Sequence, residues 1–196
     1  MTKAWKIAPG SHADDWLLFR KNKCIGIGWL EDTDFRKFES VDKVLKALVS
    51  RYGENANGYG KGAAEMIWSF AREIKPGDLV VANDAYNRIV GIGVIESGYL
   101  HPRARSNPLR KDSHTHRHHV RLVDWQITRS VHVKGVTPKK YFFVQETLKE
   151  LNSEDIKHIV NAYAQSHPSD IERTWAHLKA RDDWDRPDGA EDDKSC

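Results

Sequence analysis

Residues 74–99 read IKPGDLVVANDAYNRIVGIGVIESGY, two strands and the turns that bound them. Lys75-Pro76-Gly77-Asp78 opens the stretch, with Pro presetting φ and Gly supplying a positive φ, the chemistry of a type II turn. Leu79 to Ala82 is too short for a helix and rich in Val, so it reads as a buried strand. The polar loop Asn83 to Arg88 turns the chain into Ile89 to Ile95, where Val90, Ile92 and Val94 share one face and Gly91 and Gly93 the other. Bare positions on one face predict a sharp bend or the close approach of another group. The expectation is a small, strongly curved sheet.

Working outward, Cys24-Ile25-Gly26-Ile27-Gly28-Trp29 repeats the glycine alternation in an earlier strand. Ala4 to Ala8 forms a first strand, with Trp5 and Ile7 on one face. Ser11-His12-Ala13-Asp14 has the pattern of a capping box before a helix that faces Ala13, Trp16 and Leu17 inward. Ser40 caps a helix striped by Val41, Val44, Leu45, Leu48 and Tyr52 and closed by Gly53. Ala63, Ile67, Phe70 and Ile74 mark another. Residues 98–112 lose periodicity and read as a long exposed basic loop. A strand runs from the histidine cluster to about Ile127, and Tyr141 to Val144 is a short one. A helix starts at Asn152 or Ser153, a second is capped by Ser169, and the acidic segment 182–196 reads as disordered. The division is therefore a main domain over 1–150, C-terminal helices packing on it over 151–181, and an acidic tail over 182–196.

Composition narrows the function classes. At 196 residues and 39% apolar the chain fits one domain with appendages, and no window approaches the ~18 apolar residues of a membrane span. The N-terminus MTKAWKIAPG has no signal-like apolar run, and Cys24 and Cys196 make no disulfide framework, so a cytoplasmic home is expected. Residues 182–196 hold seven acids and two bases; against the net +3 of the chain, the remainder carries about +8. That asymmetry favours an anionic partner such as nucleic acid.

Catalytic signatures are missing from the sequence. There is no Gly-Lys-Ser/Thr P-loop, Gly-x-Ser-x-Gly elbow, His-Glu-x-x-His helix or Cys-x-x-Cys pair. Asp78 is better explained as a turn residue than as a metal-binding carboxylate. His114, His116 and His118 would share a strand face, yet Arg117 sits among them and no cysteine completes a set, so they read as a basic strand end. The expectation is a protein that is no enzyme and holds neither metal nor cofactor.

The tryptophans divide. Trp5, Trp125 and Trp175 lie on periodic apolar faces and read as core, while Trp16 and Trp68 read as mostly core. Trp29 shares the face of Ile25 and Ile27, which favours burial, but at a barrel mouth that same face lines a pocket. Both readings stand at this point.

The order WKIAPG–SHADDW, CIGIGWLEDTDF, MIWSFAREIKPGDLVVAN, RIVGIGVIESGY and HHVRLVDW resembles the EVE and YTH branch of the PUA-like superfamily. Within that branch it is most similar to the N-terminal recognition domain of some McrB-type modification-dependent restriction proteins. The resemblance spans roughly Ala4 to Val144 and implies an α+β fold: a small curved mixed β-barrel flanked by helices, with a helical C-terminal extension. It implies binding of one flipped base, often a methylated one, in an aromatic-walled pocket, with modified DNA favoured and RNA the other option. Lacking the GTPase and nuclease of those restriction proteins, the chain acts alone, works with an effector nuclease or NTPase on another chain, or is one subunit or fragment. By motif position Trp29 matches the cage tryptophan, and Ser11 and His12 the polar residues after the first strand. Asn83 and Asp84 close the third strand and Tyr99 ends the fourth. Asp34, Asn83 and Ser11 are candidates for the base's polar atoms, and Trp68 and Tyr99 for further walls. Lys61, Arg103, Arg105, Arg110, Lys111 and Arg117 are the candidate phosphate contacts. The alternative is an RNA-binding or protein-interaction module with no preference for a modified base.

Overall fold

The computed structural model describes residues 2–53, 60–112, 115–133, 142–143, 146–167 and 169. The strands are β1 (Ala4–Ile7), β2 (Cys24–Ile27), β3 (Leu79–Asp84), β4 (Arg88–Ile95), β5 (His119–Ile127), β6 (Val131–His132) and β7 (Leu148–Leu151). The α-helices are α1 (Trp16–Lys21), α2 (Val41–Tyr52), α3 (Lys61–Trp68) and α4 (Ser153–Ser166). Hydrogen bonds order the sheet β2-β5-β4-β3-β1-β7, with β6 added to β4. Among the described strands only β1 and β3 pair in parallel, Ala4 opposite Leu79 through Ile7 opposite Ala82. The fold is α+β with a curled sheet. Among the described residues no ladder joins β2 to β7, so the expected barrel is a half-barrel.

The decisive hairpin forms as the sequence predicts. Gly77 takes φ +97°, and the Asp78 N–H closes the turn on the Lys75 carbonyl at 3.1 Å. The Asp78 carboxylate also accepts from the Trp5 indole N–H (2.9 Å) and the backbone N–H groups of Lys3 and Lys75. One turn residue thus fastens β1 to β3, and Trp5 is core at 2% exposure. A bulge at Val90 changes the predicted faces: Ala82 pairs with Gly91 but Asn83 with Ile89. Val90 consequently joins the core on the α1–α3 side, while Ile92 and Val94 join the other.

Both faces of the sheet are covered. On one, Phe19, Ile25, Ile27, Phe35, Leu48, Ile67 and Phe70 pack under α1, α2 and α3. On the other, Leu79, Val81, Ile92, Val94 and Phe143 pack with Ile159, Ala162 and Tyr163 of α4. The glycines on β2 and β4 mark close approach. A Cβ on Gly26 or Gly28 would lie 2.5 Å from the Arg117 or His116 carbonyl oxygen, and one on Gly91 would overlap the Trp16 indole.

Helix α2 has its Ser40 cap, with Oγ accepting from the Lys43 N–H, and ends at Gly53 with φ +89°. Asn152 caps α4 through its side chain on the Asp155 N–H. Other expectations need correction. The Ser11–Asp14 capping box does not form: Ser11–Ala13 is a 3-10 turn without a side-chain cap, and α1 begins after Asp15. Phe19, not Leu17, faces inward; Leu17 is 73% exposed. Helix α3 widens at Ser69–Glu73 into a π turn closed by Ile74 N–H on Ser69 O at 3.1 Å. That turn leaves the Phe70 and Ala71 carbonyls to the buried Arg121 guanidinium, at 2.7 and 3.3 Å.

The strand expected from the histidine cluster starts only at His119, so His116 and His118 do not share a strand face. Phe142 and Phe143 are buried in a bend rather than a strand. His114, Tyr141, Val144, Trp175, the helix capped by Ser169 and the tail over 182–196 lie outside the described residues, Ser169 itself excepted. No described helix is long and apolar enough to cross a membrane.

Candidate nucleic-acid interface

Trp29 lies two residues past the end of β2 and is half-buried against the core. The next residue fixes it. Leu30 adopts φ +50°, a left-handed conformation that costs a non-glycine residue on the order of 1–3 kcal/mol unless its surroundings hold it. Its N–H donates to the Tyr52 hydroxyl (3.1 Å), and its carbonyl lies 3.2 Å from His119 Nε2. The Leu30 side chain is buried as well. The entrance to the acidic loop is therefore held on three sides.

The far end of that loop is equally fixed. Asp34 caps the 3-10 turn Phe35–Lys37 by accepting from the Arg36 N–H (3.0 Å), and the Arg36 guanidinium grips its carboxylate at 2.6 and 2.9 Å. Arg36 pulls the Asp34 pKa down to about 2. Arg72 donates to the Arg36 and Phe38 carbonyls, and its guanidinium lies 5.5 Å from the half-buried Trp68 ring centre. As an expected partner for a base, Asp34 is already engaged by its own loop.

Tyr99 corrects the cage. It is 8% exposed, stacked on Phe35 at 5.5 Å between ring centres, edge-on to Phe70 and overlain by Arg36 at 5.8 Å. Its hydroxyl takes the Phe35 N–H at 3.3 Å and lies 2.7 Å from His119 Nδ1. With no free face, Tyr99 is core and not a wall. His119 stacks on Phe35 at 3.6 Å and is fully buried, and that burial pushes its pKa down to about 3.

The basic stretch is neither long-armed nor loose. Asn107 is buried, donating to the His101 and His118 carbonyls (3.1 and 2.7 Å), and Leu109 is completely buried. Successive turns, with Ala104 N–H on His101 O and Asp112 N–H on Leu109 O, make a knot of residues 101–112. The expected exposed loop is thus an anchored one. Arg103 pairs with Asp32 (3.1 Å), Arg117 with Asp15 (2.9 Å) and Lys61 with Glu65 (3.7 Å). His116 reaches Glu31 at 3.2 Å. Arg105, Arg110 and Lys111 are exposed, and none has a carboxylate partner among the described residues.

The remaining candidates gather elsewhere. The turn carrying the exposed Ser11 and His12 packs on β3, whose end supplies Asn83 and Asp84. By strand register this is the hairpin end of the sheet, whereas Trp29 follows the end of β2 where Ile27 pairs with His119. The Arg117–Asp15 pair links the two regions. His12 and Ala13 both have left-handed φ, at +54° and +57°. Asp84 is buried in an ion pair with Arg88. Asn83 donates to Ala85 O at 2.6 Å, and its buried Oδ1 has no hydrogen-bond partner among the described residues. The structure therefore splits the expected base-binding set into Ser11, His12, Asn83 and Asp84 on one side and Trp29, Asp34, Tyr99 and Trp68 on the other.

His119 and Arg121 escape the sequence reading. Their signal is a polar residue at alternate positions of an apolar strand, on the face continued by Val123, where burial demands hydrogen-bond partners. Among the described residues no three His, Cys, Asp or Glu side chains cluster as a metal site. A family model matches residues 5–152, and its description is a domain of unknown function, DUF8426. No curated protein matches the chain.

Proposed function

We propose, for a chain that belongs to the DUF8426 family, a non-enzymatic reader of nucleic acid. One flipped, methylated base rests on Trp29, and Arg105, Arg110 and Lys111 follow the backbone phosphates. The observation that carries this reading is the anchored knot of residues 101–112. It presents three exposed cations that have no carboxylate partner among the described residues, and Arg103–Asp32 bridges it to the loop that follows Trp29. Cations on an anchored backbone, joined through Arg103–Asp32 to the loop that follows a half-buried indole, suit a polyanion with stacking bases. Stacking returns ~1–3 kcal/mol per base against the few kcal/mol that extraction costs. A methyl group adds roughly 0.8 kcal/mol of apolar burial.

Because Phe35, Tyr99 and His119 are packed together in the core, Trp29 serves as a platform and not as one wall of a ready-made cage. The curled sheet is compatible with the PUA-like, EVE/YTH-type architecture that the motif order implies. On this reading the chain is the specificity module of a cytoplasmic modification-dependent restriction or defence system, DNA its favoured target, and cleavage belongs to another chain. A protein-interaction module is the competing reading, favoured by the 73% exposure of Leu17 on α1.

Binding to DNA and RNA oligonucleotides, each with and without methylated adenine or cytosine, tests the proposal. Tighter binding to one methylated strand supports it. Equal affinity for modified and unmodified strands removes the modified-base claim, and no binding at low salt removes the nucleic-acid claim.

A further inference from the structure

We propose that His119 and Tyr99 form a positioning pair that clamps the loop 30–35 at both ends and so sets Trp29 for stacking. This rests on the base-reading proposal above. The two side chains touch the loop at its first and last residues: His119 Nε2 lies 3.2 Å from the Leu30 carbonyl, and the Tyr99 hydroxyl lies 3.3 Å from the Phe35 nitrogen. They are joined to each other at 2.7 Å, so one hydrogen-bonded path closes the loop across its base.

The path admits one arrangement of protons. The Phe35 N–H can only donate, so the Tyr99 oxygen accepts from it. The Leu30 carbonyl can only accept, so His119 carries its proton on Nε2. A neutral ring then has a bare Nδ1, which accepts the Tyr99 O–H. Burial keeps the ring neutral, with its pKa pushed down to about 3. Each group is satisfied once, and the hydroxyl fixes the tautomer that Leu30 needs, as the second partner of a working histidine does. Loss of the hydroxyl frees the proton to sit on Nδ1, and the Leu30 carbonyl then faces a lone pair.

The geometry also explains why the clamp reaches Trp29. Leu30 sits in the left-handed region at φ +50°, with its N–H on Tyr52 and its carbonyl on His119. Relaxing Leu30 swings the peptide that follows Trp29. Behind Trp29, the His116 carbonyl oxygen fills the space beside Gly28 that even a Cβ would need, so the strand end has little room to take up the movement. The indole must.

Nitrogen-15 NMR of the full chain tests this, with the Trp29 indole N–H cross-peak identified by its loss in Trp29→Phe. The wild type should show His119 protonated on Nε2. Tyr99→Phe, which keeps the ring stack, should shift the Trp29 cross-peak and weaken binding of the preferred methylated oligonucleotide about two- to tenfold, the range of one lost hydrogen bond. His119→Asn, too short to reach Leu30, should do the same. His119→Gln places an amide N–H near the Nε2 position and should restore the cross-peak. A Trp29 cross-peak unmoved in both Tyr99→Phe and His119→Asn overturns the proposal, whatever their melting temperatures. So does a His119→Gln variant no better than His119→Asn. If the wild type binds no oligonucleotide while the cross-peak still follows the pair, the clamp stands and the base-reading proposal falls.

Discussion

Gly26 and Gly28 at the end of β2 and Gly91 on β4 lie under close neighbours of different kinds, while Gly93 meets both the Val123 side chain and the Asp124 carbonyl. Over Gly26 and Gly28 lie the backbone carbonyls of Arg117 and His116. Over Gly91 lies the Trp16 indole, itself edge-on to Trp125 at 4.8 Å between ring centres. A side chain can rotate away from an intruding methyl group, whereas a hydrogen-bonded backbone segment cannot. The β2 side is therefore the stiffer, and it is the side that ends in Trp29. A platform for a base needs that stiffness, because a mobile indole spends part of its stacking energy on being ordered.

The largest stability effect should follow from placing a methyl group under backbone. Gly26→Ala should cost about 1–3 kcal/mol, toward the upper end, because the Arg117 carbonyl must move together with the ion pair to Asp15. Gly91→Ala should cost less, about 1 kcal/mol, and should show in near-ultraviolet circular dichroism as the Trp16–Trp125 pair reorients. Urea unfolding of both variants sharpens the comparison. Equal losses, or a greater loss at Gly91, break it.

Acidification should act on the β2 side next. His119 titrates near 3 in the folded chain against an ordinary value of 6.5, and Asp34 near 2 against 3.8. Both are lowered, so the unfolded chain binds protons that the folded chain refuses. Stability is then present above pH 6.5 and declines as pH falls toward 3. Calorimetric melting temperatures between pH 7 and 4 should fall less steeply in His119→Gln than in the wild type. An unchanged slope contradicts a buried, neutral His119.

Much of the fold is legible in the sequence because its signals are local. Pro76-Gly77-Asp78 specifies its turn, Ser40 and Gly53 bound α2, and Asn152 opens α4. What escapes depends on distant partners. Strand β7, Leu148–Leu151, has two apolar ends and an exposed Lys-Glu centre, and becomes a strand only by pairing with β1. Residues 101–112 look like a mobile basic loop because Asn107 is held by a carbonyl eleven positions away. Tyr99 looks like a cage wall until Phe35, folded over from another loop, stacks on it. For the site, the cations and Trp29 are visible as residue types, but the ion pairs that occupy Arg103, Arg117 and Asp34 are not.

A smaller effect concerns those ion pairs. Arg105→Ala with Lys111→Ala should weaken binding to every sequence alike and flatten the salt dependence by roughly one unit of slope for each phosphate no longer neutralised. Arg103→Ala, whose guanidinium is already taken by Asp32, should change the slope less. Titration of one oligonucleotide at several salt concentrations measures both. An unchanged slope in the double variant moves the phosphate-binding surface off the 101–112 knot.

The most direct measurement compares Trp29→Ala with the wild type in paired experiments: dissociation constants for a methylated and an unmethylated oligonucleotide, and thermal melting. As a half-buried platform, Trp29 should contribute ~1–3 kcal/mol of binding and most of the preference for the methylated base, with melting close to wild type. A core tryptophan would instead cost ~3–5 kcal/mol of stability, out of the ~5–15 kcal/mol that most domains possess. A variant that melts far earlier, yet when cold and folded still prefers the methylated strand, would contradict Trp29 as the platform for the base.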